Sequence, residues 1–183
     1  MNGGDLQRLI NLLWLVSRQR WVLIAMSVVA ATAATMFTAL AAGNQTGAIV
    51  VLVVGLAIGA AASADSHTAL AVEVLVVWHW LASIDDPMTA WVIPMTWCLL
   101  VFHTVIALMA VTTITADIDR AILVRWAGRT ALVAFGVGAM WSLVVAMDAR
   151  DAAGSTALTV VGLVTLTVLV VATRSRVRLT RRR

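Results

Sequence analysis

The sequence predicts an all-α fold, a polytopic transmembrane helix bundle, and three observations carry that expectation. The chain is 62% apolar and only 12% charged over 183 residues, far outside the composition of soluble domains. Its apolar residues fall in blocks about as long as a bilayer crossing, separated by short polar joints. All 13 basic residues are arginines, and 12 of them lie at block ends that alternating threading places on one side of a membrane. A soluble core could not hide this much apolar surface in a chain of this length.

Taken in order, residues 1–20 read as an amphipathic helix lying on the cytoplasmic surface. Leu6, Leu9, Ile10, Leu13 and Val16 recur at helical spacing, with Arg8, Asn11 and Arg18 among the polar positions. Residues 21–173 form the expected bundle, with clear spans at 21–42, 48–64, 90–113, 130–147 and 155–173. Each is about 17–24 residues, or roughly 25–36 Å of helix at 1.5 Å per residue. Ala39-Leu40-Ala41 has the small residues of a cleavage site, but the apolar run before it is longer than a signal peptide's, so it reads as a span.

Charge parity settles the segment 67–83. Arg8, Arg18 and Arg20 precede the first span, Arg120, Arg125 and Arg129 precede the fifth, and Arg174, Arg176, Arg178, Arg181, Arg182 and Arg183 follow the last. The positive-inside rule puts all three groups in the cytoplasm, and the joint with Asp85 and Asp86 outside. Five spans cannot satisfy this. Six can, if 67–83 is a short third span and 62–68 a tight cytoplasmic turn. The expectation is therefore six spans in the plasma membrane, both termini cytoplasmic, and a basic tail at 174–183 placed to meet anionic headgroups or a partner. Only Arg150 then lies outside, flanked by Asp148 and Asp151. Trp14, Trp21 and Trp126 fall at inner boundaries and Trp78, Trp80 and Trp91 at outer ones, as amphipathic rings do at headgroup level.

No joint is long enough for a folded soluble domain. The stretch 114–129 carries Asp117, Asp119 and Arg120, then an apolar-basic run expected to form a short helix leading into the fifth span. Gly55, Gly59 and Ser63 make a small-xxx-small row on the second span, and Ala30, Ala34 and Thr38 another on the first. These rows suit close packing of the two helices, with an oligomer seam as the functional alternative.

A few polar residues are out of place in so apolar a chain. Glu73 is its only glutamate and falls mid-span, as does His103 on the fourth span. A carboxylate at that depth costs about 2.5–3.5 kcal/mol, so it must pair, face the bundle or be protonated. Glu73 lies ~15 Å and His103 ~20 Å from the outer ends of their helices, at 1.5 Å per residue. Adjacent helices joined by a short turn thus bring the two within reach as an intramembrane polar pair, either a structural hydrogen bond or a proton site. His79 is too shallow to share a haem iron with His103, and no cofactor is expected. Asp65, Ser66 and His67 form the cytoplasmic turn, where Asp or Ser can accept the first N–H groups of the next helix. Cys98 stands alone in an apolar block and excludes disulfides and thiolate metal sites.

No nucleophile motif, phosphate loop, paired metal spacing or dinucleotide fingerprint is present, so the chain does not read as an enzyme. The pI near 11.3 reflects arginines at span ends and implies no nucleic acid. Three stretches together resemble a group of small, uncharacterised actinobacterial multi-pass membrane proteins encoded beside a MoxR-type AAA+ ATPase and a von Willebrand-A-like membrane protein. They are Asp65-Ser66-His67, Val101-Phe102-His103, and Asp119-Arg120 followed by Arg125-Trp126-Ala127-Gly128-Arg129. The resemblance spans roughly residues 62–133 and implies those two proteins as partners. The function expected is an accessory or scaffolding subunit of a membrane complex. A small proton-coupled transporter or channel built on Glu73 and His103 is the alternative, though no internal repeat of the kind common in transporters is visible.

Overall fold

The computed structural model describes residues 17–43, 47–64, 66–86, 89–113 and 117–148, and every regular element among them is an α-helix. They are α1 (Arg18–Ala42), α2 (Gly47–Ala62), α3 (Thr68–Ser83), α4 (Val92–Val111) and α5 (Arg120–Asp148). Residues up to Trp141 belong to one unit, and those from Ser142 on to a second, in which only the end of α5 is described.

Local chemistry sets the helix ends. Ser17 Oγ accepts the backbone N–H of Arg20 at 3.2 Å, satisfying a first-turn donor of α1. At its other end Gly43 adopts φ 66°, the left-handed conformation that closes helices and that glycine takes without strain. The chain leaves α3 at extended Ile84, whose N–H still bonds Trp80 O. Pro94 falls in the first turn of α4, where its missing N–H removes no helical bond. The Asp119 carboxylate accepts from Ala121 N at 2.9 Å and starts α5. From there α5 runs 29 residues without a break. The expected lead-in helix and fifth span are one element, because nothing in 120–148 interrupts the helix: it holds no proline, and Gly128 is tolerated in its interior.

Cross-contacts show consecutive helices running in alternate directions. At one end, Arg20 of α1 donates to Met109 O near the end of α4 at 2.7 Å, and Ile118 N donates to Gln19 Oε1 at 2.7 Å. The Ser63–Ser66 turn between α2 and α3 lines a cavity with the same Arg20 and Met109. At the opposite end Phe37 of α1 stacks on Trp91, with ring centroids 5.9 Å apart. Along α4 and α5, Trp97 Nε1 donates to Ala134 O at 3.0 Å and Thr130 Oγ1 to Thr104 Oγ1 at 3.3 Å.

The core lies chiefly between α1 and α4, the most extensive of the helix contacts. α1 contributes small residues, Ala30, Ala31 and Ala34, and α4 large ones, Phe102, Ile106 and Met109. Small residues let the backbones approach, which lipid-embedded helices need because burial from water does not drive them together. Ser27, Thr35 and Thr38 are fully buried in α1. Each donates its hydroxyl to a carbonyl one turn back, at 2.8, 3.0 and 3.2 Å, so none leaves a polar group unsatisfied. α2 adds Val53, Ala57, Ala60 and Ala61, and α3 adds Val72, Val76 and Trp80. Trp80 is therefore a core residue at 4% exposure, while its neighbour Trp78 is 69% exposed. Only Trp78 of the two can take the interfacial place expected of both.

Three helices are long and apolar enough to cross a membrane: Arg18–Ala42, Val92–Val111 and Arg120–Met147. Nothing in the apolar stretch of the last is buried, and Leu132 and Phe135 are more than two-thirds exposed. Hydrocarbon can accept such a surface and water cannot. The six expected spans are not all seen as full-length crossings. α2 and α3 have 16 residues each, about 24 Å at 1.5 Å per residue, short of a hydrocarbon core of about 30 Å. The sixth span at 155–173, the surface helix expected within 1–20 (apart from residues 17–20) and the basic tail lie outside the described residues.

Candidate functional site

Core positions on α3 recur at Val72, Val76 and Trp80, so Glu73, one residue past Val72, is turned about 100° from the packed face. Phe102 of α4 is fully buried, and His103 is displaced from it in the same way. Both polar residues thus flank the α3–α4 seam, and they meet: His103 Nδ1 and Glu73 Oε1 are 2.8 Å apart. Sequence reading set the pair inside the bundle. The structure sets it at the edge, with the His103 side chain 66% exposed and that of Glu73 23%.

One proton governs the chemistry of this contact. With the carboxylate ionised and the imidazole neutral, Nδ1–H donates to it and Nε2 is an acceptor, whereas a protonated imidazole makes the contact an ion pair in which both nitrogens are donors. With the carboxyl protonated, its O–H donates to Nδ1 and Nε2 carries the hydrogen. Which ring nitrogen donates and which accepts therefore follows from the tautomer of His103. Next to it, the Thr104 hydroxyl donates to Leu100 O at 2.7 Å and accepts from Thr130 on α5, so α4 makes side-chain hydrogen bonds toward both α3 and α5.

The turn between α2 and α3 is a chain of hydroxyls. Ser63 Oγ donates to Gly59 O at 2.8 Å and lies 3.1 Å from Ser66 Oγ. Ser66 Oγ in turn donates to Thr68 Oγ1 at 2.8 Å and accepts Thr68 N at 3.3 Å. Ser66 thus covers a first donor of α3, and His67 makes no capping bond with its side chain. Asp65 lies outside the described residues, as do Arg174, Arg176, Arg178, Arg181, Arg182 and Arg183.

The two small-residue rows behave differently. Ala30, Ala34 and Thr38 are buried against neighbouring helices. A Cβ added at Gly55 would meet nothing within 4 Å, and one at Gly59 only Thr68 Cγ2 at 3.8 Å. Gly55, Gly59 and Ser63 are therefore not the packing face of α2, which is Val53, Ala57, Ala60 and Ala61. The reason is register: Gly55 sits about 200° round the helix from both Val53 and Ala57.

His79 bonds Ser83 Oγ through Nδ1 at 3.1 Å, while its Nε2 is buried without a partner. No group of three metal-ligating side chains occurs among the described residues.

No known protein family, curated protein or solved structure matches this chain.

Its own geometry therefore carries the functional argument. Sequence reading treated Arg20 only as an orientation signal, yet it is 8% exposed and ties α1 to the end of α4. The signal that places it is Ser17, a capping residue three positions earlier, which makes Arg20 a first-turn residue of α1.

Proposed function

We propose that the protein is an accessory or scaffolding integral membrane subunit of a plasma-membrane complex, with the Glu73–His103 pair on its partner-facing flank. The observation that carries this reading is the exposed imidazole edge on an otherwise apolar bundle side. Lipid tails offer it no hydrogen bond, whereas membrane helices use such groups as polar contacts with one another. The sequence resemblance names a MoxR-type ATPase and a von Willebrand-A-like membrane protein as the partners to seek. Purification in mild detergent should bring down stoichiometric subunits with the wild-type chain and with Glu73→Gln, and His103→Ala should lose them. A wild-type chain that purifies alone and monodisperse sinks the proposal.

The accompanying threading is six spans with both termini in the cytoplasm. It is supported by the alternating directions of the five described helices and by the arginines at one end of them. The two 16-residue helices cross if the bilayer thins locally and flanking polar residues reach the interfaces, a modest cost per ångström of mismatch. Reporter fusions after Ser66 and after Asp86 should report opposite faces, and one at the C-terminus the same face as Ser66. Equal signals at Ser66 and Asp86 would remove the third span.

The 2.8 Å contact also favours a second reading, a small proton-coupled transporter or channel. It joins a carboxyl to an imidazole, the residue types from which intramembrane proton relays are built. The distinguishing substitution is Glu73→Gln.

A further inference from the structure

The first turns of α5 join unmatched arginines to an uncovered apolar face. Its 29 residues make roughly 43 Å of helix at 1.5 Å per residue, longer than a hydrocarbon core of about 30 Å. Counted back from Asp148, such a core is filled at about residue 129, which leaves Arg129 at its edge and Arg125 one turn beyond. We propose that this side of α5 is a binding site for an anionic phospholipid, its phosphate on Arg125 and Arg129 and its acyl chains along Leu132, Gly136 and Met140.

The headgroup end follows from charge. Both arginines are exposed, and among the described residues neither guanidinium has a hydrogen-bond or ion-pair partner. α5 offers none of its own, since it holds no acidic residue before Asp148. Arg125 and Arg129 stand one turn apart and about 40° round the helix, so their like charges repel. A phosphate between them relieves that repulsion and suits two planar forks whose donors are all open.

The acyl end follows from register. Trp126 packs on the core and Thr130 donates to Thr104 of α4. Each arginine precedes one of these two by a single residue, and so is turned about 100° from it. Leu132, Gly136 and Met140 instead fall within about 60° of both arginines. Leu132 is 71% exposed and Met140 47%, and a Cβ added at Gly136 would meet nothing within 4 Å. One strip of helix surface thus runs from two open cations to uncovered apolar side chains, the order of headgroup and tails in a phospholipid. An acidic soluble protein would match the charges and leave the apolar strip bare. Arg120 is about 140–180° round the helix from the pair and does not belong to the site. The strip lies on a different helix from either member of the Glu73–His103 pair, so its occupancy does not depend on which protein that pair engages.

The test is native mass spectrometry of the purified full chain in neutral detergent, titrated with phosphatidylglycerol, phosphatidylcholine or inorganic phosphate. Phosphatidylglycerol should stay bound, and the other two should neither stay bound nor displace it. Arg125→Gln combined with Arg129→Gln should weaken phosphatidylglycerol binding about thirtyfold, as for two basic contacts. Arg120→Gln should leave it within about twofold of wild type, because that residue faces elsewhere. The comparison is repeated with glutamine at Arg181, Arg182 and Arg183, which removes lipid held by the tail and should leave the difference unchanged. If the double variant fails to insert, the wild-type chain decides by itself. Phosphatidylglycerol with a photoreactive group in its acyl chain should label Leu132, Gly136 and Met140 in preference to exposed Phe135, which is about 100° round the helix from Gly136. Wild-type binding in the double variant, an equal loss in Arg120→Gln, equal labelling of Phe135, or displacement by inorganic phosphate overturns the proposal. So does an acidic protein that co-purifies in place of the lipid and is lost with Arg125 and Arg129.

Discussion

Glu73→Gln should leave the fold intact, whereas Glu73→Ala should destabilise it by about 1–3 kcal/mol, the cost of a polar group deprived of its partner in a dry environment. His103 Nδ1 faces Glu73 Oε1 at 2.8 Å. The glutamine amide can either donate to a ring nitrogen or accept from one, so it preserves the contact without preserving the charge. Alanine does neither. His103 then faces hydrocarbon with nothing to bond, and each unmet polar group there is expensive. Thermal melting of the three proteins in one detergent checks the order. The same variants separate the two functional readings. A partner-binding flank keeps its co-purifying subunits in Glu73→Gln, while a proton pathway loses transport in that variant with its fold unchanged, since an amide does not titrate as a carboxyl does. If Glu73→Ala and His103→Ala are each silent, and the double mutant is simply their sum, the residues are not coupled and both readings of the pair fall.

Phe102→Ala should be more damaging still, at about 3–5 kcal/mol. Among the described residues Phe102 is the largest side chain with no exposed surface, and it belongs to the core built chiefly between α1 and α4. A cavity of that size in a packed core is refilled only in part, and its lining loses contacts outright. Phe102→Leu, which retains most of the volume, should cost less than half as much. Equal melting temperatures for wild type and Phe102→Ala would show that the α1–α4 seam does not hold the bundle together.

Much of the helical architecture is legible in the residues alone, for identifiable reasons. An apolar block of bilayer length has few alternatives to a helix when lipid offers the backbone no hydrogen bonds. Gly43 and Ser17 then mark helix ends by their own chemistry. The approach of Glu73 to His103 was legible as well, because a short connection makes α3 and α4 antiparallel neighbours and a fixed rise per residue converts numbering into depth. Rotation about each helix axis was not. No described helix has a pronounced apolar stripe, since lipid-facing and core-facing residues are both apolar, and the periodicity that identifies a buried face in water disappears. That is why the Gly55–Gly59–Ser63 row suggested a packing face that belongs instead to Val53, Ala57, Ala60 and Ala61.

By itself, then, the sequence determined the helical class, the arginine asymmetry and which polar residues demand partners, all of which depend on composition and spacing along one dimension. Only the tertiary structure decided which way each helix faces: Glu73 and His103 at the rim of their seam, Trp80 in the core, and Arg20 drawn in beside the Ser63–Ser66 turn. Those outcomes depend on how volumes on five helices fit together. In an environment where hydrophobicity no longer distinguishes inside from outside, that fit is set by the shapes of side chains distant in sequence, not by any pattern within one segment.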